Sequence, residues 1–374
     1  MQQEKSSAQT QGRKKVRKPM RPGATAGLQI AIDIVMAGIC LCIYALFHHV
    51  LPKTIHSMPI VDSSRIPQIQ TPADNPSDPD YSFASGLEGL VNAEKRYASS
   101  PLPERRVTKL EVLETDTLKL VMNKVQYGWG NNMVTYYAAD LFITSVENFH
   151  TAVAKNEDDK LVTATVDNLA FKKDAVFAVS GDYFKNSEIG FIVRDGELYR
   201  NEPTPNDLCL LYLDGSMEII DGTEFSSNDA IAKGVWQAWS FGPSLLTEEG
   251  LPKTKNEEFN VNGSNKDIGS PFHSQSAMFS EHPRNLIGYV EPGHYIFILI
   301  DGRNEGYSRG VDFVDESQIA YDEGCVLAYN LDGGRSAMMV YENEIVNLPY
   351  KGGRPISDII YFTAPDKESG DVKD

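Results

Sequence analysis

The sequence predicts an α+β fold: a mixed sheet with several hairpins and few helices, preceded by one transmembrane helix. Three observations predict it. Short apolar runs of strand length recur from residue 107 onward. Asp-Gly pairs separate such runs at Asp195-Gly196 and Asp214-Gly215, a strong hairpin signal. Residues 27–47 form a 21-residue stretch that is almost wholly apolar, about enough for a helix to cross a bilayer core of roughly 30 Å.

The N-terminal end sets the topology. Residues 1–25 carry Lys5, Arg13, Lys14, Lys15, Arg17, Lys18 and Arg21 against Glu4 alone. Clustered cations beside an apolar span place that side in the cytoplasm and the rest outside. A cleaved signal peptide is the rival reading, but the run is long for one and no small-x-small site follows it. The expected organisation is a basic cytoplasmic tail (1–25), a single-pass anchor in the cell membrane (26–51), a Pro-rich extracellular spacer (52–105), a compact extracellular domain (106–364) and an acidic flexible tail (365–374).

Charge narrows the function. The chain has 35 Lys and Arg against 52 Asp and Glu, a net −17. Seven of those cations and two of the acids precede residue 52, so the outer portion holds 28 against 50, a net −22. Such a surface repels nucleic acid, which excludes a polynucleotide partner. An anionic substrate would need a local cluster of arginines. Four cysteines make no disulfide framework, and Cys209 and Cys325 each sit inside an apolar run. They read as buried free thiols, with a disulfide as the alternative. No metal-ligand spacing is present, so no cofactor is expected, and a divalent cation bridging carboxylates and phosphate is left open.

The elements follow in order. Six prolines among Ser, Asp and Asn make residues 52–80 an extended spacer. A short helix is expected near 87–97. Strands are expected at 107–113, 118–121 and 133–144. Ser145 can cap a helix to about residue 154, with Val146, Phe149 and Val153 on one face. A second helix covers 166–172, and 176–180 is a buried strand. Hairpins follow at 191–200 and 208–220. Residues 247–284 are long and polar and should form a surface excursion or lid. A hairpin at 286–300, a helix at 315–323 ended by Gly324, and strands at 325–331, 337–341, 344–346 and 357–362 complete the chain.

Three apolar strands end in Gly-bearing polar turns: Ser180 to Tyr183, Asp301 to Asn304, and Asn330 to Ser336. Polar groups at the ends of core strands can converge on one cleft. Asp182, Asp301 and Asp332 then become candidate site carboxylates, and Arg284, Arg303, Arg335 and Arg354 candidate phosphate ligands, since arginine grips phosphate oxygens in pairs. In the 330–336 turn, Gly333 and Gly334 allow close approach of a ligand to a main chain that can cradle an anion. An ordinary Asp-Gly hairpin turn is the alternative reading of those residues. Ser336 lies in no Gly-x-Ser-x-Gly elbow. His282 is the best placed histidine, with an exposed loop residue as its plainer reading.

These segments, in order, resemble one family. Gly181-Asp182-Tyr183, Phe241-Gly242-Pro243, Pro283-Arg284 with Ile287-Gly288, Asp301-Gly302-Arg303, the Asn330–Ser336 turn, Asn347 and Ser357-Asp358 are similar to the phosphodiester glycosidase family over about residues 133–364. That family includes the uncovering-enzyme domain, which removes N-acetylglucosamine from a sugar phosphodiester. The stretch 45–52 is similar to the anchor of bacterial members. Ser180, His282 and Arg335 stand where the family pattern has Asn, Asn and Gly. The resemblance implies hydrolysis of a sugar-1-phosphodiester in a cell-surface or exopolysaccharide glycan. Asp332 and Asp301 would take the catalytic carboxylate roles. Arg284, Arg303 and the Gly333-Gly334 turn would hold the phosphate side of the substrate, and Asp182 and Asn330 sugar hydroxyls. Arg335 and Ser336 would also bind substrate, with Arg335 either an added phosphate clamp or a group that crowds the pocket. A non-catalytic module binding a glycan or wall polymer on the same fold is the alternative.

Overall fold

A computed structural model of the chain describes residues 22–46, 53–54, 56–69, 97–261 and 279–364. Two compact units divide it, one ending at Leu51 and one beginning at Pro52. In the first, a helix spans Pro22–Ala45, and its Gly27–Ala45 portion is long and apolar enough to cross a membrane. The basic tail before residue 22, the body of the helix expected at 87–97, the middle of the 247–284 excursion and the acidic tail lie outside the described residues.

The second unit has the expected class: many strands, several hairpins and few helices. Its strands separate into three principal sheets, and every described pairing is antiparallel. The first sheet orders Leu327–Asn330, Arg284–Glu291, His294–Ile300, Val134–Ile143, Leu118–Tyr127 and Arg106–Glu114. The second orders Met217–Asp221, Asp207–Tyr212, Val235–Trp239, Gly190–Arg194, Glu197–Glu202 and Met58–Pro59. The third orders Glu344–Ile345, Met339–Tyr341, Phe177–Ser180, Asp358–Phe362 and His150–Val153.

Period-2 alternation assigns every strand residue to one of two layers. In the first sheet Ile287, Tyr295, Phe297 and Leu299 enter a central core shared by all three sheets. Their neighbours Leu286, Ile296, Ile298 and Ile300 pack on the opposite face with Phe313 and Ile319 of the helix Phe313–Asp322. The third sheet uses its outer face to bury Leu169 and Ala170 of the helix Val166–Lys172. At the centre, the Phe149 ring lies 5.9 Å from Trp239, 5.2 Å from Tyr295 and 5.1 Å from Phe362, touching all three sheets. Cys209 and Cys325 are free thiols in different clusters.

Tertiary pairing overrides local propensity at one place. The helix expected at 145–154 is a single 3-10 turn, Val146–Asn148, capped by Ser145. The chain then becomes the strand His150–Val153, because its backbone pairs with Asp358–Phe362 while Phe149 fills the core.

The spacer is also shorter than expected. Met58–Pro59 adds an edge strand against Glu197 and Leu198, and Ile69 enters the central core with its amide bonded to Thr144 O at 3.0 Å. At the other end, Ser100 Oγ donates to Asp322 at 2.6 Å, Arg105 pairs with the same carboxylate, and Tyr97 Oη donates to Glu323. These segments belong to the domain because Ile60 and Ile69 find buried sites at one end and Ser100 and Arg105 bond to the Asp322 carboxylate at the other. Ile69→Ala should therefore destabilise the protein by roughly 2–5 kcal/mol, as for other buried aliphatic truncations. A urea midpoint unchanged by this substitution would show residues 56–69 to be unpacked.

Candidate active site

The first and third sheets bring the three polar turns together. His294–Ile300 and Leu327–Asn330 both run antiparallel to Arg284–Glu291, so Asp301 and Asp332 leave the first sheet at the same end. Phe177–Ser180 of the third sheet joins them there. Asn285 Nδ2 donates to Ser180 O at 2.7 Å, and the Asp332 amide donates to Gly181 O at 3.2 Å. The 330–336 turn is not a hairpin: the strand before it lies in the first sheet and Met339–Tyr341 after it in the third. Its glycines serve that crossing. A Cβ on Gly333 would stand 2.7 Å from Pro283 O, and Gly334 has φ +62°. The Gly334 amide donates to Pro283 O at 2.8 Å, so it belongs to the fold and not to an anion cradle.

Asp332 is the centre of one cluster. Arg354 Nη2 lies 3.1 Å from both its oxygens, and Arg354 Nε donates to Ser336 Oγ at 2.6 Å. The Arg354 guanidinium also stacks over Tyr183 at 4.6 Å. Burial pushes the Asp332 carboxyl up to about 6, against the opposing pull of Arg354 and Ser336. Beneath it lies a second ion group. Arg194 Nε donates to Asp358 at 2.6 Å, and its Nη2 stands 3.7 Å from Asp182. Asp358 is likewise raised to about 6 by burial, and Asp182 adds to the rise of both carboxyls.

A third group flanks these. Arg303, with φ +58°, is exposed and donates to His282 Nδ1 at 3.1 Å, while its guanidinium lies 5.2 Å from the Tyr350 ring centroid. Gly334 backs it, since a Cβ there would come within 3.8 Å of Arg303 Nη2. With Arg335, Lys351 and Arg354, Arg303 makes a cationic rim on an otherwise acidic domain.

Several candidates have other work. Asp301 accepts from Asn347 Nδ2 at 2.8 Å, from the Leu348 amide at 3.0 Å and from Tyr307 Oη at 3.0 Å. It is a positioning carboxylate whose oxygens hold the 347–348 segment. Asp182 accepts from the Tyr183 and Ser240 amides at 2.6 and 3.1 Å, which ties its turn to the second sheet. Asn330 donates to Gly242 O at 2.7 Å and holds the Gly242-Pro243 bend. Arg284 is a correction. It is buried on the helix face of the first sheet, 4.1 Å over Phe313 and 3.7 Å from Glu316, whose carboxyl burial raises to about 8. Alternation explains it, for Asn285 and not Arg284 points toward Ser180. Arg335 leaves the turn to donate to Gly353 O at 2.9 Å.

Arg354 is the arginine that contacts Asp332, Ser336 and Tyr183, although no sequence signal separated it from the other arginines. Arg194 was hidden as the last residue of an apparent hairpin strand. The only available signal was a cation ending the apolar run before Asp195-Gly196.

The raised carboxyls of Asp332 and Asp358 contribute a pH-dependence to stability. Their folded values near 6 lie above the roughly 3.9 of an unfolded aspartate, so the folded state holds the extra protons in that window. Stability therefore falls as pH rises from about 4 to 6. Asp332→Asn should flatten that fall. Arg354→Ala should steepen it, by leaving a buried carboxylate unpaired at a cost of about 1–3 kcal/mol at neutral pH. Urea midpoints at pH 4.5 and 7.5 test both, and parallel curves for all three proteins would contradict the electrostatics.

Comparisons with known proteins agree with this architecture. The family model described as phosphodiester glycosidase matches residues 173–363, just over half of the chain. A Bacillus subtilis (strain 168) protein, the SPbeta prophage-derived uncharacterized protein YomE, is 26% identical over 212 residues. The match takes in 55% of this chain but 30% of that relative, so the chain spans less than a third of its length. The catalytic domain of zebrafish N-acetylglucosamine-1-phosphodiester alpha-N-acetylglucosaminidase, auto-inhibited by its pro-peptide, shares the fold with a TM-score of 0.51 and 17% identity, over 72% of this chain and 92% of that one. A hypothetical protein from Synechocystis does so with a TM-score of 0.50 and 12% identity, over 68% and 63%. With the family model covering both the 177–183 and 330–358 segments of the cleft, the chain belongs to the phosphodiester glycosidase family.

Proposed function

We propose that the chain is a membrane-anchored hydrolase that cleaves the anomeric bond of a sugar-1-phosphodiester, of the N-acetylglucosamine-1-phosphodiester type, in a cell-surface or exopolysaccharide glycan. One observation carries the reading. A buried carboxylate with a value near 6, Asp332, is pinned by an arginine that is about one-third exposed, beside further exposed cations. Glycosidase-type chemistry follows from the family. The anchor and outward orientation are supported by the Gly27–Ala45 helix and the seven cations before it.

The chemistry has modest demands. The leaving group is a phosphomonoester, so protonating it contributes less than for an alcohol. Charge on the phosphate must be met, and Arg303 and Arg354 are suited to it. Arg354 Nη1 makes no hydrogen bond among the described residues. Ionised Asp332 would stabilise positive charge at the anomeric carbon or take the proton of the attacking water. Asp301, with Tyr307 and Asn347, would hold the rim segment that carries Leu348 and Tyr350. Ser180 is consistent with this, since it is buried and accepts from Asn285 Nδ2 at 3.1 Å.

The test is release of N-acetylglucosamine from a simple alkyl N-acetylglucosamine-1-phosphate diester by the full chain in detergent, with and without Mg²⁺ or Ca²⁺. Turnover should rise with pH through about 6 as Asp332 ionises. Asp332→Asn should cost on the order of 10²–10⁴-fold, and Arg354→Ala should raise KM and move the acid limb upward. Asp301→Asn should lose less turnover and more stability than Asp332→Asn. Undiminished turnover in Asp332→Asn would remove it from the chemistry. A folded chain that binds the diester without releasing sugar would favour the glycan-binding alternative.

A further inference from the structure

A cavity separate from the cleft lies beside the first sheet's longest hairpin. Leu118–Tyr127 and Val134–Ile143 are joined through residues 128–133, and Trp129 at that tip is 81% exposed. A large exposed indole buries little on folding and commonly marks a binding surface. Next to it is a cavity of about 460 Å³ walled by Leu102, Tyr127, Trp129, Asn132, Arg309 and Asp315. That size, with an aromatic wall and a few polar groups, is typical of a small-ligand site.

Its polar groups define the ligand class. Arg309 pairs with Glu281 and, at 2.8 Å, with Asp315. The one cation in the wall is thus already neutralised by two carboxylates, which disfavours phosphate or any other anion. Asn132, Arg309 and Asp315 offer donors and acceptors. Two buried atoms of the wall residues, Tyr127 Oη and Arg309 Nε, have no hydrogen-bond partner among the described residues. A ligand bearing neutral hydroxyls or amides, with one apolar face for the indole, matches this set. Pyranose rings have that character.

We infer that the Trp129 cavity is a second glycan subsite, holding one or two neutral pyranose rings with the indole as its stacking platform. It is linked to the cleft by one segment. The Arg303 amide donates to Arg309 O at 3.1 Å, so the 303–309 segment carries the cationic rim at one end and the cavity wall at the other. A glycan long enough to reach both would be held by neutral sugars here while its phosphodiester occupies the cleft. The inference rests on the reading of the substrate as a glycan and not on its hydrolysis.

The experiment is a titration of the full chain in detergent with N,N′-diacetylchitobiose and with maltose. Trp236 and Trp239 are buried, so an emission change on sugar addition reports Trp129. At least one disaccharide should give a saturable change with Kd near 1 mM, about −4 kcal/mol. By calorimetry, Trp129→Ala should abolish that binding, Asp315→Ala should weaken it fivefold or more, and Asp332→Asn should leave it unaltered. Absence of binding by both disaccharides would overturn the inference. So would wild-type binding in Trp129→Ala, or loss of binding in Asp332→Asn, which would put the sugar in the cleft. Disaccharide binding without diester hydrolysis would overturn the catalytic reading and leave this subsite standing.

Discussion

The buried pairing of Arg194 with Asp358 and Asp182 is the contact on which the rest of the cleft depends. Arg194 ends a strand of the second sheet, Asp358 begins a strand of the third, and Asp182 lies in the turn after Phe177–Ser180. Taking these charges out of water costs several kcal/mol per ion, which only good geometry and added hydrogen bonds offset. The added bonds are present: Asp358 accepts from the Asp182 amide at 2.8 Å, and Asp182 accepts from two amides. The group therefore locks the second and third sheets together where the first delivers Asp332. It also sets the field there, because the Asp182 charge adds to the burial that raises Asp332.

Close backbone approach is the second constraint. Gly181 lies against Asp358, where a Cβ would come within 2.7 Å of the carboxylate, and Gly333 lies as close to Pro283 O. The Gly333-Gly334 turn was expected to leave room for a ligand. Gly181 instead packs against the Asp358 carboxylate and Gly333 against the Pro283 carbonyl, and the open side of the site is formed by exposed cations. This also explains how Arg335 is tolerated in the turn. Its side chain reaches the Gly353 carbonyl, on the segment that carries Arg354.

Charge distribution separates the two places where a glycan could bind. The cleft gathers Arg303, Arg335, Lys351 and Arg354 on a chain whose residues after 51 are strongly acidic, 28 Lys and Arg against 50 Asp and Glu. The Trp129 cavity has its single arginine compensated. Long-range repulsion of anions makes such a local cationic patch selective for where a phosphate can settle.

The sequence by itself determined the strand-rich class, the apolar N-terminal helix, the hairpins at Asp195-Gly196 and Asp214-Gly215, and the polar turns that end three core strands. Each is a local property, readable from periodicity and turn chemistry. Only the tertiary structure decided which polar residues share a cleft. Arg284 and Asn285 are adjacent, yet the pleat sends them to opposite faces, and no pattern in one strand says which face meets the third sheet. Asp301 and Asp332 look alike in sequence. They differ because one is saturated by Asn347, Leu348 and Tyr307, and the other meets a partly exposed arginine 22 residues further along the chain. Residues 145–154 carry a helical pattern, but pairing with Asp358–Phe362 makes their second half a strand. Local signals place elements along the chain, whereas pairing and burial, which act between distant segments, decide the chemistry of each side chain.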